Sequence, residues 1–239
     1  MTTVDVDWGE RGLARLLGHV AAVAIVDVLS FSTCVSVAAD RDIAIHPIAS
    51  SGDGAALARR LDARLAKRRI EAGPDDVSLS PASLRRAAPG GLIVLPSPNG
   101  SALSAIASSR SEIVVFAGCL RNRRAVAAAL SAFPRVGIVA AGERWPDHSL
   151  RPAIEDWLGA GALVDALADA SPSAEAEFAR TAFRAAQSDL ARLMLDSLSG
   201  QELAAANHAG DVTVAAELDS SRCVPRLVDG VYRPQAVRR

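Results

Sequence analysis

Short apolar runs alternate with stretches in which apolar residues recur every three or four positions, and polar turns separate the two. Uninterrupted apolar runs of four to eight residues read as buried strands, whereas recurrence at i, i+3 and i+4 reads as helix. On that basis Val20–Val28, Ile43–Ile48, Leu92–Leu95, Ile113–Ala117 and Val136–Ala140 are predicted strands. Helices are expected over Ser32–Ala39, from Gly54 to Arg68, over Pro81–Ala88, from Ala102, over Arg123–Ala132 and from Pro152. Ser50-Ser51-Gly52-Asp53 offers caps to the Gly54 helix, whose Leu57, Leu61 and Leu65 fall at i, i+4 spacing. Its cations Arg59, Arg60, Arg64, Lys67 and Arg68 read as a solvated face.

Beyond Ser173 the pattern is mainly helical to Gly200, with a joint near Ser188 and an extension over Gln201–His208. Val212–Ala216 reads as a late strand, Val224–Tyr232 as another, and Pro234–Arg239 as a loose tail. Repeated strand–turn–helix units predict a three-layer α/β/α fold with a largely parallel or mixed central sheet. No linker divides the chain, so residues 1–239 are read as one domain.

Half of the 239 residues are apolar but only 4% are aromatic, so Ala, Val and Leu must fill the core. A net charge of -1 provides no broad field for nucleic acid or an anionic membrane, and neither partner is expected. No apolar run approaches the roughly 20 residues that span a bilayer. Cys34, Cys119 and Cys223 lack CxxC spacing and suggest neither disulfides nor a zinc site, which fits a reducing cytoplasm.

In open α/β sheets, ligands sit beyond the carboxyl ends of the strands, so polar turns there should converge. Asp27 closes the first apolar run and is costly to bury unless it is paired or binds a cation. Ser32 and Thr33 follow, able either to cap the next helix or to present it to phosphate. In Ser97-Pro98-Asn99-Gly100-Ser101, Asn99 and Gly100 tolerate left-handed backbone, giving either an anion nest or an ordinary turn. In Gly118-Cys119-Leu120-Arg121-Asn122, Asn122 is a good N-cap and Arg121 or Arg123 can pair with an anion. Cys119 reads as a small buried residue because no histidine stands in a partnering context.

The fourth turn, Ala140 to Gly161, is crowded with Glu143, Arg144, Asp147, His148, Ser149, Arg151, Glu155 and Asp156. Hard divalent cations such as magnesium prefer oxygen, which Asp27, Glu143, Glu155 and Asp156 can supply. Glu155 and Asp156 are adjacent, so on a helix they diverge by about 100° and take different roles.

Taken in order, the segments Val26–Thr33, Pro96–Ser101, Gly118–Asn122 and Ala141–Gly161 resemble the 2-phosphosulfolactate phosphatase family. The resemblance implies a dimeric, magnesium-dependent enzyme that hydrolyses a small phosphorylated acid, 2-phosphosulfolactate or a related phosphate monoester. It puts Asp27 at the metal or the catalytic water, Asn99, Gly100 and Ser101 on phosphoryl oxygens, and Glu155 and Asp156 at the metal. Asp27, Asn99 and Arg144 are then the expected catalytic residues, and Asp27, Glu143, Glu155 and Asp156 the expected Mg2+ ligands. Ser32, Thr33, Ser97, Gly100, Ser101, Asn122 and Ser149 are expected on the substrate.

The chain departs from the family at three places. Ser30 stands where the family usually has Arg, and Arg144 or Arg151 is the candidate replacement cation. The family's Gly-Glu-Arg-Gly-Gly-like segment is represented only by Arg68–Gly73, and the following turn only by Ser80-Pro81. Arg151–Ile154 separates Ser149-Leu150 from Glu155-Asp156. These departures motivate an alternative, a non-catalytic relative that binds an anionic metabolite.

Overall fold

The computed structural model describes residues 1–48 and 54–236. The predicted cap at Ser50–Asp53 lies outside the described residues. The strands are β1 (Thr3–Trp8), β2 (Ala22–Val26), β3 (Ala44–Ile48), β4 (Arg64–Leu65), β5 (Leu92–Pro96) and β6 (Val114–Ala117). They continue with β7 (Arg135–Ala140), β8 (Glu143–Arg144), β9 (Leu150–Arg151), β10 (Ser171–Pro172), β11 (Cys223–Val228) and β12 (Val231–Ala236). The helices are α1 (Gly9–Leu16), α2 (Phe31–Ala39), α3 (Gly54–Arg60), α4 (Pro81–Arg86), α5 (Gly100–Ser108) and α6 (Arg123–Leu130). After them come α7 (Ile154–Ala166), α8 (Ala174–Ala186), α9 (Leu190–Asp196), α10 (Leu198–Ala205) and α11 (Ala209–Ala215).

Ten strands form one mixed sheet, β10-β1-β7-β2-β6-β11-β12-β3-β5-β4. The blocks β10-β1-β7-β2-β6 and β3-β5-β4 are internally parallel. Between them lies the hairpin β11-β12, antiparallel to both neighbours, with Arg226 opposite Phe116 and Tyr232 opposite Ile45. Strand β2 shows why the fold has three layers. Its Ala22, Ala24 and Val26 join one core with Leu158, Leu163 and Phe183, while Val23 and Ile25 join another with Leu13, Leu16 and Leu103. That period of two buries both faces of the strand, as a central strand requires.

Four expectations are corrected. Of the stretch read as a loose tail, Pro234–Ala236 continues β12 and pairs with β11. The α3 pattern stops at Arg60 because Asp62 turns left-handed at φ +50° and Arg64-Leu65 pairs beside β5. Its five cations are exposed, but they do not share a helix face. Val212–Ala216 is not a strand: Val212–Ala215 end α11, with Ala216 at its C-cap, and Val212, Val214 and Ala215 are buried. Val224–Tyr232 is two strands, not one, joined at Asp229-Gly230, both with positive φ. Asp-Gly in that conformation makes the tight turn that matches strand twist.

Candidate active site

Asp27 follows β2 and is 5% exposed. Its Oδ1 accepts from the Phe31 N–H at 3.0 Å and its Oδ2 from the Gly100 N–H at 2.8 Å. The turn after β5 therefore reaches the end of β2, and glycine is required for it. A side chain at Gly100 would place Cβ 2.8 Å from Asp27 Oδ2 and closer still to Phe31 Cδ1, a clash with both. Burial pushes the Asp27 carboxyl above its ordinary range, and the neighbouring Glu155 charge adds to the rise, while the two N–H donors and Arg69 oppose it.

Asp156 in α7 accepts from the Val28 N–H at 2.7 Å and the Gly142 N–H at 2.8 Å, tying the ends of β2 and β7 to that helix. Burial, then Asp27 and Glu155, push it well above the usual carboxylate range. Glu155 is 2% exposed, and its Oε2 has no hydrogen-bond partner. Glu143 accepts from Asn99 Nδ2 at 2.8 Å, and burial, reinforced by Asp27, pushes it up to about 7. Asp27, Glu143 and Asp156 are thus each raised in part by neighbouring carboxylates, as like charges sharing a site do.

An all-oxygen donor set with an unpartnered buried carboxylate oxygen fits a hard divalent cation. Among the described residues no three acids, histidines or cysteines already stand as a preassembled ligand set. The fit therefore rests on Glu155 Oε2 and on the mutual repulsion that a cation would relieve.

Arg69 supplies the positive charge that the sequence places elsewhere. Its Nη2 donates to Ser30 Oγ at 2.8 Å and lies 3.5 Å from Asp211 Oδ2, while its Nε is buried without a partner. Asp211 in α11 also receives Ser80 Oγ at 2.6 Å and the Ala82 N–H at 3.1 Å. Ser80 caps α4 through the Ser83 N–H, so the surviving Ser80-Pro81 pair helps to hold the anchor of Arg69. A cleft of about 610 Å3 opens here, lined by Leu29, Arg69, Glu143, Glu202 and His208.

Several expected residues do other work. Arg144 pairs with Glu10 and donates to the His148 carbonyl. Arg151 is held by Glu202 at 2.9 Å, so neither arginine occupies the space beside Ser30. Ser32 Oγ exchanges bonds with the Asp27 backbone, and Thr33 Oγ1 donates to Val28 O, so both hydroxyls are spent on their own turn. Asn122 is buried on the Cys119 N–H and Ala117 O. Ser149 is exposed and bonds Asp147. Ser101 donates to Leu95 O at 3.3 Å, and the Gly100 N–H is taken by Asp27. Ser97 is buried with an unpartnered hydroxyl.

Arg121 is spent on Asp40 and Glu217, and Arg123 on Asp165 and Asp219. Cys119 is buried with its thiol pushed up by desolvation, which disfavours the thiolate a nucleophile needs. Asp27, Asn99, Glu143, Glu155 and Asp156 do come together, while Arg69 and Asp211 were missed. The available signal for Arg69 is its place in Arg68–Gly73, the segment that stands for the family's Gly-Glu-Arg-Gly-Gly-like stretch ahead of Ser80-Pro81.

The family model described as 2-phosphosulpholactate phosphatase matches residues 15–230. A probable 2-phosphosulfolactate phosphatase of Pseudothermotoga lettingae is 31% identical over 146 residues. That alignment covers 60% of this chain and 61% of the relative. Among the described residues no helix is long and apolar enough to cross a membrane.

Proposed function

Because the chain belongs to the 2-phosphosulpholactate phosphatase family, we propose that it is a magnesium-dependent phosphatase. Its substrate is a small phosphorylated acid, 2-phosphosulfolactate or a related phosphate monoester. The observation that carries this reading is the cleft lined by Arg69 and Glu143, whose charges act on the buried Asp27, with the unpartnered Oε2 of buried Glu155 close by. Asp27, Glu143, Glu155 and Asp156 would hold Mg2+, which when bound offsets the charge of the phosphoryl oxygens.

The chain's own residues do the rest. Arg69 offers a preorganised guanidinium to an anionic oxygen, with Ser30 and Asp211 fixing its direction. Asn99 orients Glu143 through Oε2. Asp156 holds the ends of β2 and β7 at a fixed distance from α7. Such positioning, made before substrate arrives, is where phosphoryl transfer gains most of its rate.

One ground of the non-catalytic alternative is the loss of a cation at Ser30, and against it Arg69 donates to Ser30 Oγ from another part of the chain. The test is phosphate release from 2-phosphosulfolactate and a panel of phosphorylated acids, with Mg2+ and with chelator. Release that requires the metal supports the proposal; no release from any ester overturns it.

A further inference from the structure

A second cavity, of about 510 Å3, shares Glu143 with the first cleft and is lined also by Asn99, the hydrogen-bond partner of Glu143. Its walls are Trp8, Leu103, Leu150, Arg11 and His148. The walls are built in. Trp8 is stacked on Trp157 with ring centroids 5.2 Å apart. The β8-β9 ribbon is seated on the start of α1, where Leu150 packs over Gly9 and Gly142. Both glycines have left-handed φ, +57° and +69°, so the ribbon approaches where a side chain would be strained as well as crowded. The Arg144–Glu10 ion pair latches the ribbon to α1.

Cavities of roughly 300–1,000 Å3 suit molecules of drug size, far larger than a three-carbon acid. Leu150 remains 42% exposed here and Trp145 beside it 46%, apolar surface that costs solvation unless something covers it. Arg11 at the rim has no ion-pair partner among the described residues. We propose that this cavity is a leaving-group subsite, which takes the aromatic or bulky apolar body of a phosphorylated acid, with Arg11 meeting its acid group. The inference rests on the phosphatase reading: the phosphate sits on the Arg69 side and the organic body passes the Asn99–Glu143 pair. It extends the substrate class to monoesters of aryl-substituted hydroxy acids.

The test is calorimetric titration of the full chain with 3-phenyllactate, which carries the body and the acid but no phosphate. The expected result is saturable binding in the millimolar range or tighter, weakened about tenfold or more by Leu150→Asp and by Arg11→Ala. Both substitutions lie on exposed side chains, and circular dichroism checks that each variant is folded. Absence of binding, or binding unchanged in both variants, overturns the subsite. If phenyllactate binds but no ester is hydrolysed, the phosphatase reading fails and the leaving-group role with it, while the cavity stands as a binding site for aryl-substituted acids. If 2-phosphosulfolactate is hydrolysed but phenyllactate is not bound, the phosphatase reading stands and the subsite fails.

Discussion

Arg69 Nη2 donates to Ser30 Oγ at 2.8 Å, so a cation carried by one segment stands over a serine of another. The same nitrogen lies 3.5 Å from the fully buried Asp211, and this fixes the guanidinium at the cleft wall. A charge-assisted hydrogen bond contributes about 1.5–3 kcal/mol. Arg69→Ala is therefore expected to lower kcat/KM roughly ten- to hundredfold, mainly through KM, as steady-state kinetics would show. Arg69→Lys is expected to recover only part of the loss, since the planar fork is gone. Equal kinetics in wild type and Arg69→Ala would remove this residue from the site.

The two buried aspartates and Glu155 should respond differently to amidation. Both oxygens of Asp27, and both of Asp156, accept backbone N–H groups. Asparagine would turn an NH2 group toward an N–H donor, costing about 1–3 kcal/mol for the broken pairing. Denaturant unfolding should show that loss in Asp27→Asn and Asp156→Asn. Glu155→Gln breaks no bond at Oε2 and removes one charge from a repelling cluster. It should leave stability equal or raised, and a clear loss would contradict the placement of that oxygen.

The turn from β5 into α5, which hydrogen-bonds Asp27 at the end of β2, is sterically closed. A Cβ at Gly100 meets the Phe31 ring and sits 2.8 Å from Asp27 Oδ2. Gly100→Ala is expected to cost about 1–3 kcal/mol, the usual price of overpacking, and to impair activity as Asp27 is displaced. Thermal melts with activity assays check it.

Burial sets a direction for the pH dependence of the metal-free protein. Glu143 titrates near 7 when folded and near 4.5 in its ordinary state, so folding takes up a proton between those values. Its contribution is fully present below about pH 4.5 and lost as pH rises through about 7, an upper bound of about 3 kcal/mol. Asp27 and Asp156 are raised too and act in the same sense. In chelator, urea unfolding should show stability falling over that window, with a shallower fall in Glu143→Gln. A flat profile in the wild type would contradict the burial of these acids.

The strands that carry the site were legible because each is a short apolar run buried on both faces, as Val23 and Val26 of β2 are. The acids were legible because Asp27 interrupts such a run and Glu155-Asp156 opens a helix. What was hidden depends on contacts distant in sequence. Val212–Ala216 carries branched residues that suit a strand, yet packing on Leu84 and Tyr232 through Val214 keeps it helical. That helix places Asp211, and Asp211 places Arg69 142 residues away. Arg144 misled for the opposite reason: it stands in the polar turn but is claimed by Glu10 from α1.

The most direct test is phosphate release by wild type and Glu155→Gln, each with Mg2+ and with chelator, alongside thermal melts. Release is expected from the wild type only with Mg2+, with a roughly hundredfold or greater drop, about 2.7 kcal/mol, in Glu155→Gln at undiminished melting temperature. Release that persists in chelator, or a Glu155→Gln variant as active as wild type, would contradict that expectation.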